Sequence, residues 1–587
     1  MSGLKKLTSL ISAAAISISV LAVNTSALET YDPYSYDRWG DAVSSQAGYT
    51  AEKYVDGNTI GCGALNEPAD LFISHDNLMY IADKGNNRIV VTDLDFNFKK
   101  ELKEFKYSDA MVKEVTVDAD ALSYMSEEKE PLTAGDYILA YDKASSKFKV
   151  LTSTGGTTKF DVDAKAVKVT GTAGLSNGDR IAVNYDGTSL TVTGNLVATL
   201  AKPTGVYVDQ YTGFVYVCDT ENDRVIKCDT DGNVDRLFEK PTDALYDQAL
   251  TYNPSKVLVD KAGNVYVVVK SQTKGAVMFN SQGDFLGFYG ANRVEQTAEV
   301  LANAFWDLIS TDAQRDRSTK QTPIGFSNFD IDDEGFIFTV TDSQETTTDL
   351  VKKLNPRGDN ILDSLGAADM QFGDNPPAYY SIYSKNSSLT DIDLGPNGEL
   401  NILDFQHGRI FQYDKECWLL FIMGGKGNQL GLFESATAIE SHDNHLYVVD
   451  SIKDNITIFT RTVFGEIVTN AANLYNDGLY EESLEPWQNV LKYDGNYRRA
   501  YIGIGNALYN KYEYEEAMEY FEISISRDRY NRAFEGYRDI WLKANYMKCI
   551  IAIVVLVILG FIYKHFRKKG KIIFPWENRR RIRKGGV

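Results

Sequence analysis

Four polar residues occupy one place in a recurring segment and could act together. Asp70, Lys256, Asn328 and Asp391 sit near the start of short apolar runs, as in Pro68-Ala69-Asp70-Leu71-Phe72-Ile73 and Pro254-Ser255-Lys256-Val257-Leu258-Val259. Gly205 and Ala438 hold the same place in two more copies. Two carboxylates and an amide brought together would suit a calcium-type ion, which takes oxygen ligands. Lys256 works against that and would instead pair with an acid. The plainer reading, which the sequence favours, is that these side chains fix the first turn of each copy. The five histidines include His75 and His442 in matching turns, Ser74-His75-Asp76-Asn77 and Ser441-His442-Asp443-Asn444. Both are expected at the surface, far from any shared axis. His442 and His445 are three apart, but on a hairpin turn that spacing rarely makes a metal site. His407 lies in another turn. There is no Gly-rich phosphate loop, no nucleophile elbow and no Cys/His pair at catalytic spacing.

The elements that must position these residues are hairpins. Met79-Tyr80-Ile81-Ala82-Asp83-Lys84-Gly85-Asn86-Asn87-Arg88-Ile89-Val90-Val91 reads as strand, tight turn, strand, with Gly85 expected to supply a positive φ. The pattern recurs from Val215 to Val225, and more loosely from Leu400 to Ile410 and from Leu446 to Ile456. A hairpin with one apolar face cannot bury itself alone, but copies stacked around an axis can.

The six inner-strand segments and their hairpins resemble the NHL-repeat family of β-propellers. That resemblance implies a mainly β domain over residues 28–462 with six four-stranded blades, closed by a strand from Tyr49 to Ile60. It also implies that Asp70, Lys256, Asn328 and Asp391 ring one mouth of an axial channel. Two interruptions break the period. A β-rich insertion at about 107–199 would be a rim subdomain, or else extra blades. A second, at about 294–317, looks helical and amphipathic. Some relatives of such propellers are metal-dependent lyases or lactonases, so an ectoenzyme with a channel-bound cation is the alternative to a binding role.

Beyond Gly465 the apolar period becomes helical. Leu474, Tyr475, Tyr480, Glu481, Glu482, Ser483 and Trp487 are matched 34 residues later by Leu508, Tyr509, Tyr514, Glu515, Glu516, Ala517 and Phe521. These copies resemble tetratricopeptide repeats, which implies a helical-hairpin array over 466–545, capped by a helix from about Arg532. Tyr475, Tyr480, Trp487, Tyr509, Tyr514 and Phe521 are its candidate packing and peptide-binding residues.

Cys549 to Tyr563 carries no charge, and flanking Lys and Tyr extend it to a membrane span over 546–566. Lys5, Lys6 and the apolar run Leu7–Val23 read as a signal peptide ending at residue 27. Residues 564–587 hold ten of the 61 Lys and Arg and one of the 81 Asp and Glu. This basic tail over 567–587 predicts a cytoplasmic C-terminus and a single-pass type I protein, its bulk outside the cell. The rest of the chain is acidic, which disfavours nucleic acid as a partner. Cys218 and Cys228 lie on neighbouring strands and could face each other, or be two buried thiols. The sequence therefore predicts no catalytic set and no resident cofactor, a calcium-type ion at the mouth being the exception it leaves open. It predicts a binding or scaffold protein of a bacterial envelope, taking a protein or peptide partner or a small-molecule or glycan ligand.

Overall fold

The computed structural model describes residues 31–569 except 38, 40, 110, 119–121, 125–131, 172–173, 293–323, 344–348, 363–371 and 375–385. The expected signal peptide, the helical insertion at 294–317 and nearly all of the basic tail lie outside the described residues. Contacts divide the chain into two units. One takes in residues 42–469, the other residues 470–587, each with a short N-terminal piece.

The larger unit is a β-propeller. After β1 (Tyr34–Tyr36), β2 (Ala42–Ser44) and β3 (Tyr49–Asp56), the first blade runs β4 (Pro68–Ile73), β5 (Leu78–Asp83), β6 (Arg88–Asp93) and β7 (Phe98–Leu102), each strand pairing with the next. The insertion follows as β8 (Glu104–Tyr107), β9 (Val112–Val117), β10 (Leu122–Tyr124), β11 (Gly135–Asp142), β12 (Lys147–Thr152), β13 (Thr157–Asp163), β14 (Val167–Gly171), β15 (Asp179–Tyr185) and β16 (Leu190–Thr199). The repeats then resume with β17 (Gly205–Val208), β18 (Val215–Asp219), β19 (Arg224–Cys228) and β20 (Asn233–Glu239). Next come β21 (Pro254–Val259), β22 (Val265–Val269), β23 (Gly275–Phe279) and β24 (Phe285–Gly290), and the three-stranded set β25 (Asn328–Ile331), β26 (Ile337–Val340) and β27 (Val351–Leu354). The last two sets are β28 (Leu389–Leu394), β29 (Leu400–Asp404), β30 (Arg409–Tyr413) and β31 (Leu419–Gly424), then β32 (Ala436–His442), β33 (His445–Asp450) and β34 (Asn455–Arg461).

Five of these sheets stand as discrete blades, not the six expected, and one of the five has three described strands. The difference lies in the insertion. Strand β8 pairs in parallel with β20 and antiparallel with β16, so β17–β20 merge with the insertion into one eleven-stranded sheet. The insertion has its own core around Leu139, Phe148, Val150, Ile181 and Val183. Strand β3 completes the sheet of β32–β34 by pairing antiparallel with β34, so residues from the two ends of the propeller share one blade. The closed ring leaves few edges unpaired.

The recurring aspartate explains the hairpin motif. Asp83 ends β5, and its carboxylate accepts from the Asn66 amide at 2.8 Å and from Arg88 Nε at 2.7 Å. Asp219 repeats this with the Ala201 amide at 2.7 Å and Arg224 Nε at 2.8 Å. Asp404 and Asp450 take the amides of Ser388 and Ser435. Each aspartate thus ties the end of a blade's second strand to the chain leading into its first. Positive φ falls not on Gly85 but on the residue before the third strand: Asn87, Asp223, Gly408 and Asp454, at 51–63°. Gly85 is needed for space, since a Cβ there would lie 2.5 Å from the Asn66 side chain.

Cys218 and Cys228 are both buried and free. Cys218 pairs in register with Val225 and Cys228 with Val215, and the two thiols enter different cores. They do not face each other.

The smaller unit is helical. The helices are α1 (Val463–Asn476), within which the division falls, α2 (Tyr480–Tyr493), α3 (Arg498–Asn510), α4 (Tyr514–Ile523) and α5 (Arg527–Lys568). The 34-residue offset is visible in three dimensions. Tyr475 meets Tyr480 with ring centroids 5.2 Å apart, and Tyr509 meets Tyr514 at the same 5.2 Å. Trp487 and Phe521 are fully buried against Gly503 and Gly505, where a Cβ would collide with either ring. Ser483 and Ala517 are buried too. Trp487 and Phe521 therefore pack the core and offer no surface to a peptide, while the four tyrosines are half-buried. The capping helix and the membrane span are one helix, α5, with 42 residues. Its apolar stretch is wholly exposed and is long and apolar enough to cross a membrane.

Candidate functional site

The first strands β4, β17, β21, β25, β28 and β32 line the axis in that order. Their alternation decides which side chains point into it, because successive residues of a strand face opposite ways. The structure brings Asp70, Lys256, Asn328 and Asp391 together there. Lys256 Nζ lies 2.5 Å from Asp70 Oδ1 and 3.4 Å from Asp391 Oδ1. Asn328 Nδ2 donates to the same Asp391 oxygen. The other carboxylate oxygens accept backbone amides from the next first strand round the ring, Val206 of β17 to Asp70 at 2.9 Å and Ile439 of β32 to Asp391 at 2.6 Å.

This layer is a plug. The space within it is only about 40 Å³. Burial pushes the Asp391 carboxyl up to about 7, against the pull of Lys256, and also raises Asp70. Burial alone would lower the Lys256 ammonium, but Asp391 and Asp70 outweigh it and leave it raised. A charged lysine thus stands between the two carboxylates that could otherwise face a cation, and the set is an ion-pair network joining four first strands.

Room for a ligand lies one layer further along the strands. Two residues beyond Asp70, Asn328, Asp391 and Ala438 come Phe72, Asp330, Asp393 and Glu440, and two beyond Gly205 comes Tyr207. These line an open cavity of about 390 Å³, a size at which proteins hold small molecules. Phe72 and Tyr207 pack with centroids 4.9 Å apart. Asp330 accepts from the amides of Ile331 and Leu394, both at 2.8 Å. Asp393 accepts from Asn401 Nδ2 at 2.7 Å, and Glu440 from the Ile73 amide at 3.1 Å. Burial, with repulsion among the acids, pushes Asp330 up to about 8 and raises Glu440 well above the usual carboxylate range. Burial raises Asp393 to about 6.

The sequence reading missed this layer, although strand alternation from the first layer points straight at it. His75 and His442 also line the cavity mouth, contrary to the expectation that their turns lie far from the axis. The turns at the ends of the first strands β4 and β32 reach the cavity. His445 pairs with His442 across the turn. His407 instead contacts Asp404, with its Nδ1 2.6 Å from Oδ2. Among the described residues, no three His, Cys, Asp or Glu side chains are grouped to hold a metal ion.

Fold and axial cavity together define a β-propeller protein with a C-terminal helical region and one helix able to span a membrane. No protein-family model matches the sequence. No curated protein matches it either. Among solved structures, virginiamycin B lyase from Staphylococcus aureus is 12% identical, with 70% of this chain and 99% of that one covered and a TM-score of 0.35. Kuenenia stuttgartiensis hydrazine synthase is 10% identical over 68% of this chain and 96% of that one, with a TM-score of 0.33. The extracellular domain of a protein described as a one component system from B. thetaiotaomicron is 12% identical over 71% and 42%, with a TM-score of 0.30. Likenesses this distant carry no argument about chemistry, and the propeller assignment rests on the sheets themselves.

Proposed function

We propose that this chain is a membrane-tethered recognition protein of a bacterial envelope. In this reading an NHL-type propeller and tetratricopeptide-like repeats lie outside the cell, on a type I anchor following a cleaved signal peptide. The axial cavity is the ligand site, used for binding and not for turnover, and the helical repeats serve a protein partner. The observation that carries the reading is α5, whose N-terminal part packs on the helical repeats and whose apolar part is wholly exposed. Ala533 is buried, and Gly536 lies against the Tyr514 ring. Exposed apolar surface on that scale is costly in water and favourable in a bilayer.

Protease treatment of intact cells producing the full chain, tagged at the C-terminus, tests it. The propeller and repeats should be digested while the anchor and tail survive. An intact propeller in whole cells that is cut only after lysis would overturn the reading.

A further inference from the structure

The axial cavity has a chemical character that narrows its ligand. One wall is aromatic, formed by Phe72 and Tyr207, with Tyr211 exposed at the rim. The Tyr207 hydroxyl donates to the Val259 carbonyl at 3.3 Å, which fixes the ring. Asp330 and Asp393, on β25 and β28, lie away from that wall, and Glu440, on β32, stands beside it, accepting from the Ile73 amide. Among the described residues no Lys, Arg or His forms an ion pair with any of these three. The lysine that could have reached inward, Lys256, is held by Asp70 and Asp391 in the plug below. Lys261, at the rim, sits 5.4 Å over the Tyr211 ring and donates to the Asp333 carbonyl. The protein's own cation at the rim therefore already rests on an aromatic face of this cavity.

We infer that the axial cavity binds a compact organic ammonium ion, with the charged nitrogen toward the carboxylates and an apolar or aromatic body against Phe72 and Tyr207. Aromatic faces attract cations, most strongly where water is excluded, and an ammonium donates to several acceptors at once. A bare metal ion fits less well. Amide hydrogen bonds hold Asp330 and Glu440, and Asn401 holds Asp393, so the carboxyl groups are held apart and, among the described residues, do not converge on one point. A volume of about 390 Å³ also far exceeds what a single ion fills. The inference rests on reading the cavity as a binding site. Its test is independent of membrane orientation, so failure here and failure of the protease experiment are distinguishable.

The test is calorimetric titration of the full-length protein in detergent micelles with benzylamine, its uncharged analogue benzyl alcohol, and calcium. Benzylamine should bind saturably, and benzyl alcohol at least tenfold more weakly. Glu440→Gln and Asp393→Asn should each weaken benzylamine at least tenfold, while Asp95→Asn, at an exposed turn, leaves it unchanged. Phe72→Leu keeps an apolar side chain without the ring and should weaken it severalfold. Melting curves of all variants establish that they are folded. No benzylamine binding, equal binding of the alcohol, affinity indifferent to Glu440 and Asp393 in folded variants, or calcium binding that benzylamine does not displace would each overturn the inference.

Discussion

Asp330 makes the acid layer measurable through stability. Its unfolded value is near 3.8 and burial pushes the folded value to about 8. Below pH 4 both states hold the proton. Between the two values only the folded state keeps it, so this group's contribution to stability falls as pH rises. Asp391 and Asp393 act in the same direction over narrower windows. In Asp330→Asn the melting temperature relative to wild type should therefore shift in the variant's favour from pH 5 to pH 9, and a difference independent of pH would contradict the assignment. The plug residues were legible in the sequence because repeats put equal positions in equal places. Asp330, Asp393 and Glu440 were equally accessible, by stepping two residues along each strand. The rim histidines were not, because the path of a turn over a channel depends on neighbouring blades.

Among the elements, the joint between insertion and propeller turns on Arg224. Its side chain is fully buried, bonded to Asp219 in the blade and to Asp179 of the insertion at 2.8 Å each. The Tyr107 hydroxyl donates to the same Asp179 oxygen. Removing one member of a buried ion network leaves an uncompensated charge, at a cost of about 3–5 kcal/mol. Arg224→Ala leaves Asp179 and Asp219 buried without their cation and should lower stability by about that much, measured by chemical denaturation, and more than Asp95→Ala at an exposed turn. In the helical unit, Trp487→Ala removes a fully buried ring packed on Gly503 and should cost about 3–5 kcal/mol. The loss should appear in the helical circular-dichroism transition. The 34-residue offset made this packing readable, but not the unbroken run of α5, because the change from polar to apolar sequence looks like a boundary while the backbone simply continues.

For the molecule as a whole, closure is the decisive feature. Strand β3 supplies the last pairing partner of β34, from residues some 400 positions earlier in the chain. A protein beginning at residue 57 would leave β34 as an open edge, a template for association. It should elute as aggregate in size-exclusion chromatography and lose its sharp melt, whereas a monomeric, cooperatively melting product would show that closure matters little. Helix α5 runs about 63 Å at 1.5 Å per residue, which exceeds a bilayer core of about 30 Å. Only part of it is needed to cross, and the remainder stays with the helical repeats.

Repetition and periodicity, which are local, determined the β-repeat architecture, the helical repeat offset, the apolar span and the convergence of Asp70, Lys256, Asn328 and Asp391 from the sequence alone. The tertiary structure decided what those features do. It merged one repeat with the insertion, paired Lys256 with both Asp70 and Asp391, and opened a cavity one layer further on. These outcomes depend on which side chains meet across strands hundreds of residues apart, and no spacing along the chain records that.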